Sequence, residues 1–207
     1  MILIDYIVNE TLKKFNDNQI TDENNEDIYR YGLQLLIATI VKLLVILAIA
    51  YFLKVVPETL VFLSIFAVLR INAGGIHADN YYICLIVTII FNFTTIYLAN
   101  IVKNGFLLFT ILYVCGLLIY IYAPVDTPNK PLNKNEIIIY TKRSRMVFIV
   151  LLSIITIIYF SNPNLVKYCS VAIFAILSET ITLTPLGLKI YQSLTKTTLK
   201  EVEVNEN

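Results

Sequence analysis

His77 is the one histidine in a chain of 207 residues, and Cys84 follows it by seven positions, with Gly74 and Gly75 directly upstream. A thiol becomes a nucleophile when a neighbouring base takes its proton, so a solitary imidazole close to a cysteine suggests cysteine-peptidase chemistry. In one unbroken helix, residues seven apart lie roughly 10 Å apart along the axis, too far for a thiol–imidazole hydrogen bond. A dyad therefore needs a chain break between them. Gly74 and Gly75 loosen the backbone, and Asp79 or Asn80 can cap a helix that starts near Tyr81. Cys84 then falls in the first turns of that helix, where the positive end of the helix dipole favours a thiolate. Spacing alone leaves two readings open, a catalytic pair or a glycine turn beside an unrelated cysteine. Asp79 either orients His77 or only caps, and the Gly74 and Gly75 amides either form an oxyanion hole or only a turn.

The elements that must hold these residues are membrane helices. Hydrophobic residues make up 57% of the chain and charged residues 15%, with a mean hydropathy of +0.73, more apolar surface than a soluble domain of this size can bury. The apolar residues gather into long continuous runs, which specifies helices rather than a barrel. Spans are expected at Leu33–Leu53, Thr59–Ile71, Tyr81–Val102, Phe106–Tyr122, Met146–Phe160 and Leu165–Leu183. The second covers only about 20 Å of a hydrocarbon core about 30 Å thick, so it is expected to tilt, thin the bilayer or re-enter. A polar, proline-bearing loop is expected over 123–145. Ile4, Ile7, Val8, Leu12 and Phe15 recur at helical spacing and predict an amphipathic interfacial helix over residues 1–20. The chain reads as one all-α membrane domain over 1–207, with its bundle over 33–188 and a cytoplasmic tail over 189–207. Met1 leads into apolar residues without a basic region, so the first span is expected to be a retained anchor.

Six crossings put Lys13, Lys14, Arg30, Arg70, Lys130, Lys134, Lys142, Arg143, Arg145, Lys189, Lys196 and Lys200 on one side and Lys54, Lys103 and Lys167 on the other. That bias predicts cytoplasmic termini, a cytoplasmic Gly74–Cys84 segment and a cytoplasmic proline loop. A net charge of +1 offers no basic excess for nucleic acid. Cys84, Cys115 and Cys169 form neither a disulfide framework nor a zinc-ligand pattern, so no metal or other cofactor is expected. Lys42 and Glu179 interrupt apolar runs. They are expected to face the bundle interior and to pair, either as a structural bridge or as part of a polar path. In the second case the chain is a small non-enzymatic transporter or sensor in which Lys42, Glu179 and Asn92 line the path.

Taken together, Arg70, Gly74-Gly75, His77-Ala78 and Cys84 resemble the signature of the accessory gene regulator B family. The segment Ala123-Pro124-Val125-Asp126-Thr127-Pro128-Asn129-Lys130-Pro131 is similar to that family's proline-rich loop, Lys142-Arg143 follows at a similar place, and Thr184-Pro185 with Gly187 also fits. The resemblance covers nearly the whole chain. It implies a bacterial plasma-membrane cysteine endopeptidase with His77 as base and Cys84 as nucleophile. Its substrate would be a quorum-sensing propeptide whose C-terminal tail is removed before the remainder is cyclised to a thiolactone or lactone. It also implies supporting roles for Arg70 and Gly75, although Arg70 can equally serve as a helix-end charge and interfacial anchor. Pro124, Asp126, Pro128, Lys130, Pro131, Lys142 and Arg143 either grip an acidic propeptide tail or form a solvated basic loop. Polar residues within the spans make a homodimer plausible.

Overall fold

The computed structural model describes residues 2–17, 26–75, 81–125, 132–187 and 189. Seven α-helices of more than one turn make up the described chain: α1 (Ile2–Asp17), α2 (Glu26–Phe52), α3 (Val56–Ala73), α4 (Tyr81–Ile101), α5 (Gly105–Tyr122), α6 (Lys134–Ser161) and α7 (Val166–Leu183). A single 3₁₀ turn, Pro163–Leu165, leads into α7. Six helices, α2 to α7, are long and apolar enough to cross a membrane. The protein is an all-α, multi-pass membrane protein, as the continuous apolar runs require.

The helices form two compact units, residues 1–54 and 55–207. In the first, α1 buries Val8 and Leu12. Arg30 Nη1 donates to Asn9 Oδ1 at 2.6 Å and Gln34 Nε2 to Asp5 Oδ1 at 3.1 Å, so polar side chains tie α1 to the start of α2. Most apolar side chains of α2 remain exposed, as suits a helix facing lipid.

In the second unit α7 is the central helix, with twelve of its eighteen residues buried. Its small residues Ser170, Ala172, Ala175 and Ser178 are buried, which fits helices approaching closely where lipid offers no hydrophobic drive for association. Around it, Phe62 and Leu69 of α3, Leu108, Leu112 and Cys115 of α5, and Phe148, Leu151 and Ile155 of α6 complete one apolar core. Polar ties between helices are buried too: Asn92 Nδ2 donates to Thr59 Oγ1, and the Thr95 and Ser178 hydroxyls share a hydrogen bond, each at 3.1 Å.

Two expected boundaries are corrected. The stretch expected as loop up to Arg145 is helical from Lys134, because Asn133 and Glu136 form a capping box: the Asn133 amide donates to Glu136 Oε2 at 2.8 Å. Lys142, Arg143 and Arg145 thus sit on α6 rather than in a loop. The short second span is also longer than its apolar stretch. With 18 residues α3 extends about 27 Å, near the thickness of a bilayer core. Its polar ends are carried by α7: Glu58 pairs with Lys167 at the start of both helices, and Arg70 with Glu179 at the end of both. The two pairs are the same number of residues apart on each helix, so α3 and α7 run side by side in the same direction.

Candidate functional site

The end of α3 is built by two glycines. Gly74, with φ 75° and ψ −138°, terminates the helix while its amide still donates to the Arg70 carbonyl at 3.1 Å. A Cβ there would stand 2.5 Å from the carbonyl oxygen of Val125. The backbones meet because Gly74 and Val125 form an isolated parallel β-bridge, with the Val125 amide donating to the Ala73 carbonyl at 3.0 Å. The chain leaving α3 and the chain leaving α5 are thereby joined at one end of the bundle. Pro124, half-buried, precedes this bridge through a cis peptide bond with Ala123.

Gly75 follows at φ 120° and is buried. A Cβ at Gly75 would overlap the Arg70 guanidinium and approach Thr182 Oγ1 to 2.7 Å. Only glycine brings the backbone this close. Beneath it, Arg70 Nη1 donates to Thr182 Oγ1 at 2.9 Å and faces Glu179 Oε1 at 3.4 Å, while the Thr182 hydroxyl donates to the Glu179 carbonyl at 2.8 Å. Glu179 is 1% exposed, and its Oε2 is buried without a hydrogen-bond partner among the described residues. A cation beside Glu179 is Arg70, which α3 delivers to the same end of α7.

Cys84 is the fourth residue of α4, half-buried, and its carbonyl accepts from Thr88 Oγ1 at 2.7 Å. Cys115 and Cys169 lie in the core, where a free cysteine packs as a small apolar side chain. The helix start predicted near Tyr81 is the observed one. His77 and Asp79 lie outside the described residues, as do Asp126, Pro128, Lys130 and Pro131. Lys142 and Arg143 are exposed on α6. Close by, Arg145 Nη2 donates to the Tyr120 carbonyl at 3.1 Å and its guanidinium lies 3.8 Å from the Tyr120 ring centroid. Among the described residues, no three His, Cys, Asp or Glu side chains gather as metal ligands.

The family model described as Accessory gene regulator B matches residues 3–183. The chain belongs to the accessory gene regulator B family. Among its relatives, an accessory gene regulator protein B of Staphylococcus aureus is 34% identical over 160 residues, covering 76% of this chain and 81% of the relative. An AgrB-like protein of Clostridium perfringens is 30% identical over 217 aligned positions, covering 90% and 97%. One of Clostridium acetobutylicum is 28% identical over 141, covering 68% and 66%. No solved structure matches the chain. Membership assigns the protein to the accessory gene regulator system, and the matched residues include Arg70, the twin glycines, Cys84 and the α7 cluster.

Two participants in this site were not singled out from sequence. Val125 is an ordinary loop valine, and Thr182 one threonine among several near the end of an apolar run. Their roles arise from α3, α5 and α7 ending together.

Proposed function

We propose that this AgrB family protein is a membrane cysteine endopeptidase that cuts the C-terminal tail from a short quorum-sensing propeptide and passes the remaining acyl group on within the substrate. In this reading His77 takes the proton from Cys84, and the sulfur attacks the scissile carbonyl. The peptide C–N bond breaks, the proton goes to the departing amine, and the propeptide remains attached as a thioester. A thiol or hydroxyl of the propeptide then attacks that carbonyl and frees Cys84, closing a thiolactone or lactone ring. The thioester keeps the acyl group reactive, and holding its internal nucleophile close favours ring closure over hydrolysis.

The observation that carries this reading is the position of Cys84. It is the half-buried cysteine at the amino end of a helix, while the other two are in the core, and the segment containing His77 joins it to the anchored Gly75. The basic residues of 123–145 and the cytoplasmic orientation drawn from charge bias suit a propeptide lying on the inner surface, with Lys142 and Arg143 toward its acidic tail. For the transporter reading, Asn92 and Glu179 would have to line a path, yet both hydrogen-bond across helix interfaces.

Cleavage of a co-expressed propeptide tests the proposal. Cys84→Ala and His77→Ala should abolish it while Cys115→Ala and Cys169→Ala retain it. Continued cleavage by Cys84→Ala would overturn the assignment.

A further inference from the structure

Glu179 is buried and Thr182 half-buried at the end of α7, far along the chain from His77 and Cys84. A carboxylate inside a membrane bundle is expensive, and the usual stabiliser is an interior ion pair. This one does more than neutralise a charge. The guanidinium it holds is the surface on which the Gly75 backbone lies, so closely that a Cβ on Gly75 would overlap it and meet Thr182 Oγ1 at 2.7 Å. Gly74, one residue earlier, is fixed from the other side by the Val125 bridge. The backbone is thus held on two sides immediately before the segment that carries His77 to Cys84.

We propose that Glu179 and Thr182 are positioning residues for the peptidase reaction, clamping Arg70 under Gly75 so that the chain leaves α3 in the direction the dyad requires. This rests on the reading of Cys84 and His77 given above. Arg70 cannot keep its place by itself, since its side chain is long and has many rotamers; two acceptors on α7 fix the guanidinium. Thr182 is in turn fixed by its own bond to the Glu179 carbonyl. Glu179 and Thr182 act through Arg70 and Gly75 and touch no reacting atom.

The experiment uses full-length protein in proteoliposomes with Cys115→Ala and Cys169→Ala as background. Three quantities are read in Glu179→Gln and Thr182→Val: the melting temperature, the rate of Cys84 alkylation by iodoacetamide, and kcat and KM for propeptide cleavage. Since a displacement of about 1 Å can cost on the order of 100-fold, kcat per folded molecule should fall ~10-fold or more, with slower alkylation and KM nearly unchanged. The reversed pair, Arg70→Glu with Glu179→Arg, should recover part of the kcat lost in either single variant. Should Glu179→Gln fail to fold, Thr182→Val carries the test, because it keeps the side-chain shape and removes only the hydroxyl. Unchanged kcat and alkylation per folded molecule, with only the melting temperature lowered, would show a merely structural pair and overturn the proposal. Cleavage surviving in Cys84→Ala would instead overturn the peptidase reading itself, so the two failures are distinguishable.

Discussion

The Val125 amide donates to the Ala73 carbonyl at 3.0 Å, fastening the chain that leaves α5 to the last residue of α3. One backbone bond thus links the proline-bearing connection to the glycine pair upstream of Cys84. A change in one loop is felt by the other without any side chain to transmit it.

Gly74 is where that link is most exposed to mutation. Gly74→Ala places a methyl 2.5 Å from the Val125 oxygen at a φ of 75°, a backbone region that costs a non-glycine residue about 1–3 kcal/mol. We expect a lower melting temperature together with loss of cleavage, since relief of the contact must part the two chains. A variant with wild-type melting and cleavage would show that the bridge is dispensable.

The three cysteines should separate by accessibility. Cys115 is fully buried and Cys169 is 4% exposed, whereas Cys84 is half-buried at a helix start. A membrane-permeant maleimide applied to native membranes should label Cys84 and reach the other two only after denaturation. Mass spectrometry of the labelled peptides reads the result, and rapid labelling of Cys115 would contradict the packing of α5 against α7.

Hydropathy was sufficient to reveal the helices, because a bilayer leaves few alternatives to an unbroken apolar helix. The start of α4 at Tyr81 was equally legible, from the capping residues ahead of it. The start of α6 was misjudged because Lys134 to Arg145 is polar, and polarity outside the hydrocarbon says nothing against a helix. The Asn133/Glu136 capping box was the available signal. Arg70 drew no notice as a partner of Glu179 for a related reason: it stands at the end of an apolar run rather than inside one, and only the parallel course of α3 and α7 brings the two together. The Val125 bridge had no sequence signal, since it joins backbones rather than side chains.

Asn92 distinguishes a packing role from a conducting one. Its amide donates to Thr59 Oγ1 while its Oδ1 is buried without a partner among the described residues, so Asn92→Leu removes one modest bond and one unsatisfied oxygen together. Interhelical hydrogen bonds in membranes average about 0.6 kcal/mol, so stability should change by less than about 1 kcal/mol, with cleavage retained. A polar path through this position would instead be blocked. Thermal unfolding and propeptide cleavage measured on the same preparation decide between them.

Glu58 and Lys167 tie α3 to α7 at the end opposite Arg70 and Glu179, so stability there should separate from activity. Glu58 Oε1 is bonded to Lys167, Oε2 is buried without a partner among the described residues, and the lysine side chain is 40% exposed. Removing one member of a deeply buried pair costs about 3–5 kcal/mol, and the exposure of Lys167 reduces the expectation for Lys167→Met to about 1–2 kcal/mol. Lys167→Arg keeps the charge and should stay near wild type. Adding Glu58→Gln to Lys167→Met should recover most of the loss, because the penalty comes from a carboxylate left without its cation. Cleavage per folded molecule should be unchanged throughout, since these residues lie at the far end of α3, about 18 Å along the helix from Arg70. Thermal unfolding of the wild type, Glu58→Gln, Lys167→Met and the double variant forms a double-mutant cycle. A coupling near zero would show that the pair contributes nothing, and a fall in kcat without a fall in stability would show that both ends of α3 act on the site.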